Sequence, residues 1–265
     1  MGDNNVPNRE LGWPTLLNVA VRSLFLEASW NLVGQQNLGF AAAVSPALRR
    51  LYQDQPQELA AAQRRVLRFF NTNPILSGLV IGAALRVEAE RAKGLIQDLE
   101  GSLIISSLAS TLAAHGDMLF WQGWLPLCCL LGFGLTWLGL APGQLSWAPL
   151  VIPALFCALA WPTRVGGIFH GYRLGGQAHK AIKRFHVLFI ARWAQRLTVF
   201  LTGFLTVYAY KIMPGPASQA KGLAILAIVA VVLFFVLAQR RCPALGPKIL
   251  YLGLVLSLAL TVALI

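Results

Sequence analysis

The sequence predicts an all-α, polytopic membrane protein, and three observations carry that prediction. The chain is 57% hydrophobic, with a mean hydropathy of +0.62. Only 12% of its residues are charged, about half the share of a soluble domain. Nearly uncharged runs of 17 or more residues recur in the second half, the length that spans a bilayer as a helix. The runs are unbroken rather than alternating, which argues against a membrane β-barrel.

The elements follow in order. Residues 14–33 are apolar but interrupted by Arg22 and Glu27, which predicts an amphipathic helix at the membrane interface or against a partner. "GQQNLGF" (34–40) breaks the pattern, and Ala41–Leu51 resumes it. A further helix is expected from Asp54, where Asp54 and Gln57 have capping-box spacing and Pro56 suits a first turn. Leu59, Ala62, Val66, Leu67 and Phe70 make its apolar stripe. Arg64, Arg65 and Arg68 lie largely off that stripe, as a solvated or headgroup-facing set. "NTNP" (71–74) ends the helix, because a residue before proline avoids the α region. "ILSGLVIGAAL" (75–85) and "SLIISSLASTLAA" (102–114) are each too short to cross about 30 Å of hydrocarbon. Flanking the charged stretch Glu88–Glu100, they read as arms of a re-entrant hairpin, and short interrupted segments are where transport sites tend to lie.

About five transmembrane helices follow, expected at 118–141, 145–161, 187–210, 222–238 and 249–265. The chain thus divides into N-terminal amphipathic helices (1–73), a hairpin-like region (74–117) and a transmembrane bundle (118–265). The net charge is +12, with ten Lys/Arg against nine Asp/Glu in residues 1–100 and twelve against one beyond. The basic residues sit in and beside loops between apolar runs, so the positive-inside rule accounts for them and nucleic acid is not an expected partner. The stretch 162–196 carries seven Arg/Lys and three histidines, which places it in the cytoplasm. That puts the N-terminus inside and Ile265 outside.

Asp117 is the only carboxylate residue from Gly101 to the end of the chain. An intramembrane carboxylate is costly and normally faces a cavity, a partner or the water edge. Two readings stay open for it: a polar anchor for a hydroxylated substrate, and a cap on the helix that starts at Met118. Trp121 and Trp124 read as sugar-stacking rings or, more simply, as interface anchors. Asn31, Asn37, Asn71 and Asn73 lie at helix breaks and read as turn formers or ligand contacts. The histidines have no metal-binding spacing, the four cysteines read as small buried hydrophobes, and "GYRLGGQ" (171–177) is no phosphate loop. No catalytic residue, metal or cofactor is expected on this chain.

Four segments, in this order and at these separations, carry a family resemblance: "EASWNLVGQQNLGFAAAVSPALRRLY" (27–52), "RRVLRFFNTNPILSGLVIGAALRVEAE" (64–90), "GDMLFW" (116–121) and "HGYRLGGQ" (170–177). They resemble the IID membrane subunit of the mannose-type sugar phosphotransferase system. The resemblance implies a IIC partner of related fold, assembly as a trimer of IIC–IID heterodimers in the bacterial cytoplasmic membrane, and a hexose substrate. It also implies soluble IIA and IIB proteins that relay phosphate through their own histidines, leaving no phosphohistidine here. By motif position Asn71, Asn73, Asp117 and Trp121 are the substrate-site residues. One segment departs from the family: "LASTLAAHGD" (108–117) stands where "LMGPLAGIGD" is usual, and Leu125 replaces a common arginine. A non-transporting paralogue acting as a membrane scaffold is therefore the alternative expectation.

Overall fold

The computed structural model describes residues 10–137, 148–184 and 186–212. The chain forms two compact units, Met1–Val199 and Phe200–Ile265. Among the described residues every extended element is helical, and β-like pairing is confined to isolated bridges of Gln35 with Asn31 and with Phe70.

In the first unit, α1 (Trp13–Ser23) has Pro14 in its first turn and presents Leu16, Val19 and Ala20 to the core while Trp13 and Val21 stay exposed. This is the amphipathic helix read from sequence, but shorter. After Ser23, whose hydroxyl turns back to the Ala20 carbonyl (2.7 Å), the chain runs through turns to α2 (Asn37–Leu51). Helix α3 (Pro56–Val66) starts with Pro56 at its first turn as expected, but its N-cap residue is Gln55 and no side-chain cap bond forms there.

Helix α4 (Ser77–Ala92) is buried almost throughout, and five residues join it to α5 (Asp98–Gly116). At 1.5 Å per residue, the 16 residues of α4 span only about 24 Å. Its expected partner arm is not short, however. Helix α5 continues without a break through a π-helical segment, Asp117–Trp124, into α6 (Leu125–Trp137). Residues Asp98–Leu135 are then one of two described helical runs long and apolar enough to cross a membrane. The boundary expected at residue 117 lies inside this run. Within this run the side chains of Ser110, Thr111 and His115 bond the carbonyls of Ser106, Ser107 and Thr111 one turn back.

The second such run is Leu150–Gln177, formed by α7 (Ala148–Leu174) and a 3-10 turn at Gly175–Gln177. The sequence pattern predicts that this span ends at residue 161 and that the basic stretch 162–196 faces the cytoplasm. The helix instead passes through Pro162 to Leu174. Its cation Arg164 is spent inside the protein, where Nη2 donates to the Ser23 carbonyl; an internal cation carries no information about a loop. Helix α8 (His179–Arg184) follows. Helix α9 (Val187–Ile212) covers the residues expected as a span at 187–210, but it is not one of the two described runs long and apolar enough to cross a membrane. The spans expected at 222–238 and 249–265 lie outside the described residues. In the second unit the described part of α9 stacks Phe204 against Tyr208 (6.5 Å).

The tightest packing joins α4 to α7. A Cβ built on Gly82 would fall on the Ile168 carbonyl oxygen and 2.8 Å from the Tyr172 amide nitrogen, so backbone meets backbone, as small residues permit in membrane helices. Neither neighbour can move aside as a side-chain tip could. Gly82→Ala is therefore expected to lower stability by about 1–3 kcal/mol, read as a lower thermal midpoint. Gly166, also on α7, has open space around its Cβ position. Gly166→Ala should leave the midpoint unchanged or raise it slightly.

Candidate functional site

The turn between α3 and α4 is gripped from two sides. Phe70 stacks on Phe40 of α2 (4.1 Å between centroids, 8° between planes). Gln36 then closes a pair of bonds with the next-but-one residue: its Oε1 accepts from the Thr72 amide (2.9 Å), and its Nε2 donates to the Thr72 carbonyl (2.8 Å) and to Glu27 Oε1 (2.6 Å). The Thr72 hydroxyl reaches the Ala109 carbonyl of α5 (3.0 Å). With its backbone and side-chain groups satisfied this way, Thr72 lies fully inside the protein at little desolvation cost.

Asn73 comes next and is 1% exposed. Its Oδ1 accepts from the amides of Ile75 (3.0 Å) and Leu76 (3.2 Å), opening α4. Its Nδ2 donates to Asp117 Oδ1 at 2.9 Å. This is the asparagine turn-former of the sequence reading, with its remaining donor aimed at the lone carboxylate. Gly116 makes the approach possible: a Cβ there would overlap the Asn73 side chain.

Asp117 is half-buried and sits where α5 widens into the π-helical segment. Such widenings recur at functional sites, because the longer i→i+5 register re-aims side chains. The capping reading does not describe it, since helix continues on both sides and no side-chain cap bond forms. Its Oδ2 takes no hydrogen bond from the described residues. Trp121, 43% exposed, stacks on Phe156 of α7 (6.0 Å, 17°), and Trp124 Nε1 donates to the Leu155 carbonyl (3.2 Å). Both rings therefore tie the π-helical segment to α7. The structure brings Asn73 and Asp117 together. Asn71 is exposed and lies apart from them, lining a cavity bounded by α3, α4 and α5.

Sequence reading missed the charged cluster beside that cavity. Glu88 of α4 is buried and accepts from Arg65 Nε (3.2 Å) and Nη2 (3.0 Å), from Arg91 Nη1, and from the Tyr52 hydroxyl (3.0 Å). Burial, then the charge and hydrogen bond of Glu88, push the Tyr52 phenol well above its usual range, so it remains a donor. Burial works against the Arg65 cation, but the Glu88 bond and charge outweigh it and raise its pKa. Arg65, expected on a solvated face, is thus an interior cation. In the sequence Glu88 only opens the charged stretch Glu88–Glu100, so no local signal marked the cluster.

Long apolar helices packed around a polar turn and one half-open carboxylate fit an integral membrane protein of the helical-bundle class. The chain belongs to the PTS system mannose/fructose/sorbose family IID component, whose sequence model matches residues 11–262. It is 34% identical over 169 residues to the PTS system mannose-specific EIID component of Escherichia coli K12, covering 63% of this chain and 58% of that protein. Against the PTS system sorbose-specific EIID component of Klebsiella pneumoniae it is 33% identical over 162 residues, covering 60% and 57%. The matched region thus spans less than two thirds of the length of these relatives. Among solved structures, a chain of the mannose transporter ManYZ in complex with microcin E492 aligns with a TM-score of 0.58 at 25% identity, covering 95% of this chain and 96% of that one. A chain described as a membrane protein aligns with a TM-score of 0.66 at 26% identity, covering 88% and 98%.

Proposed function

We propose that this chain is the membrane-embedded IID subunit of a mannose-type permease and forms, with a IIC subunit, the channel for phosphoenolpyruvate-dependent uptake and phosphorylation of a hexose. The observation that carries the proposal is the Asp117 carboxylate, half-buried, oriented through one oxygen by Asn73, and open at the other. A sugar hydroxyl needs such an acceptor in a site with little water, where a bond to a charged group contributes about 1.5–3 kcal/mol. Asn73, closed off from solvent, acts through Asp117 as a positioning residue. Trp121, partly exposed and held by Phe156, offers a ring face near the same helical turn.

Soluble IIA and IIB proteins would deliver the phosphate, and the assembly would be a trimer of IIC–IID heterodimers in the bacterial cytoplasmic membrane, N-terminus inside and C-terminus outside. The scaffold alternative is not favoured. The altered residues of 108–117 bond within their own helix and leave the Asn73–Asp117 pair in place. The test uses vesicles holding this chain with its IIC subunit and phosphorylated IIB. Sugar phosphate should form from at least one common hexose or amino sugar only when both membrane subunits are present. Failure across that panel, with the complex intact, would remove the proposal.

A further inference from the structure

The cavity that Asn71 lines has a volume of about 260 Å³ and is bounded by the end of α3, residues 66–71, α4 and the first half of α5. Its lining is amphiphilic. Arg65, Arg68 and Arg91 meet there with a single carboxylate, Glu88. Asp98, outside the lining, pairs with Arg65 (3.3 Å) and Arg91 (3.5 Å). Three guanidinium groups against two carboxylates leave one positive charge in excess.

The hydrogen bonding is incomplete in the same sense. Arg91 is 7% exposed in its side chain, and its buried Nε has no hydrogen-bond acceptor despite the nearby Asp98. An unsatisfied buried donor is unfavourable. Arg68 and Asn71 are exposed, and their side chains donate to nothing among the described residues. Beside these donors the lining turns apolar and open: Phe69 is 68% and Leu103 60% exposed.

We propose that this cavity binds the phosphate of an anionic membrane phospholipid, with Arg68 and Asn71 meeting the headgroup and Phe69 and Leu103 lying against its glycerol and acyl carbons. Arginine is suited to phosphate because its planar donors pair with two oxygens at once. One excess positive charge matches one phosphodiester. The exposed rings and aliphatic chains beside the cations distinguish a lipid from a soluble anion, which would gain nothing from them. Basic pockets between membrane helices hold lipid headgroups by this combination. The proposal does not depend on which sugar, if any, the complex carries.

The test measures the thermal midpoint of the full chain, in complex with its membrane partner, in detergent with dioleoylphosphatidylglycerol or dioleoylphosphatidylcholine at the same mole fraction. Native mass spectrometry counts the bound lipid in parallel. Phosphatidylglycerol should raise the midpoint above the phosphatidylcholine value and remain bound. Arg68→Gln should lose most of that shift and the adduct, whereas Arg49→Gln, an exposed arginine of α2 outside the cavity, should keep both. Equal responses to the two lipids would overturn the proposal, as would equal losses in the two variants, which would signify only general surface charge. Inorganic phosphate matching phosphatidylglycerol without lipid would overturn it in favour of a soluble-anion site.

Discussion

Replacing Glu88 with alanine is expected to destabilise the first unit by about 3–5 kcal/mol, the range for removing one partner of a buried ion pair. The carboxylate holds two nearly buried arginines, whose side chains are 9% and 7% exposed. Its loss would leave Arg65 and Arg91 with only the exposed Asp98 as a counter-charge, and the Tyr52 hydroxyl without its strongest acceptor. A loss of this size is a large fraction of a domain's net stability of about 5–15 kcal/mol. It should appear as a sharp fall in thermal midpoint and in the yield of folded protein. Glu88→Gln keeps the shape and two polar atoms, so its loss should be smaller. An alanine variant as stable as the parent would mean that the network contributes no net stability.

The second large effect is on function. Asp117→Asn preserves an acceptor for Asn73 Nδ2 and so should fold, but it removes the charge and turns one open acceptor into a donor. Loss of a charge-assisted bond of about 1.5–3 kcal/mol corresponds to roughly 10- to 150-fold weaker sugar binding. Uptake in cells or vesicles should fall accordingly while the complex still assembles. Asn73→Asp is expected to fail for a different reason. It would set a second carboxylate against Asp117 at the 2.9 Å now spanned by a hydrogen bond, where like charges repel. Full uptake by both variants would show that the pair serves only to join the α3–α4 turn to the π-helical segment.

Much of this arrangement was legible in the residues. The apolar runs and sparse charge announced a helical membrane protein, "NTNP" announced the turn before α4, and the isolation of Asp117 marked it for attention. What failed were boundaries and long-range pairings. Gly116 and Asp117 look like a helix end, yet the chain widens there into a π-helical segment without stopping, and Asp117 meets Asn73 from 44 residues away in sequence. Pro162 and the cations after it look like a loop, yet α7 continues because α4 offers backbone to pack on and Ser23 offers a carbonyl to Arg164. Arg65 reads as a surface cation in its own helix, since Glu88 lies 23 residues away. Periodicity sees faces within one element; it does not see which charges from different elements will meet.

The central claim is that Asp117 belongs to a working sugar site, and ligand-dependent stability tests it most directly. The co-purified complex of this chain with its IIC subunit would be unfolded thermally with and without each of several hexoses, parent against Asp117→Asn. Ligand at 100 times its dissociation constant stabilises a folded state by about 2.7 kcal/mol. The account predicts that at least one hexose raises the midpoint of the parent and that the Asn variant, equally stable without sugar, loses the response. An equal response in both would place the sugar elsewhere, and no response to any hexose from an intact complex would contradict a sugar-binding role for Asp117.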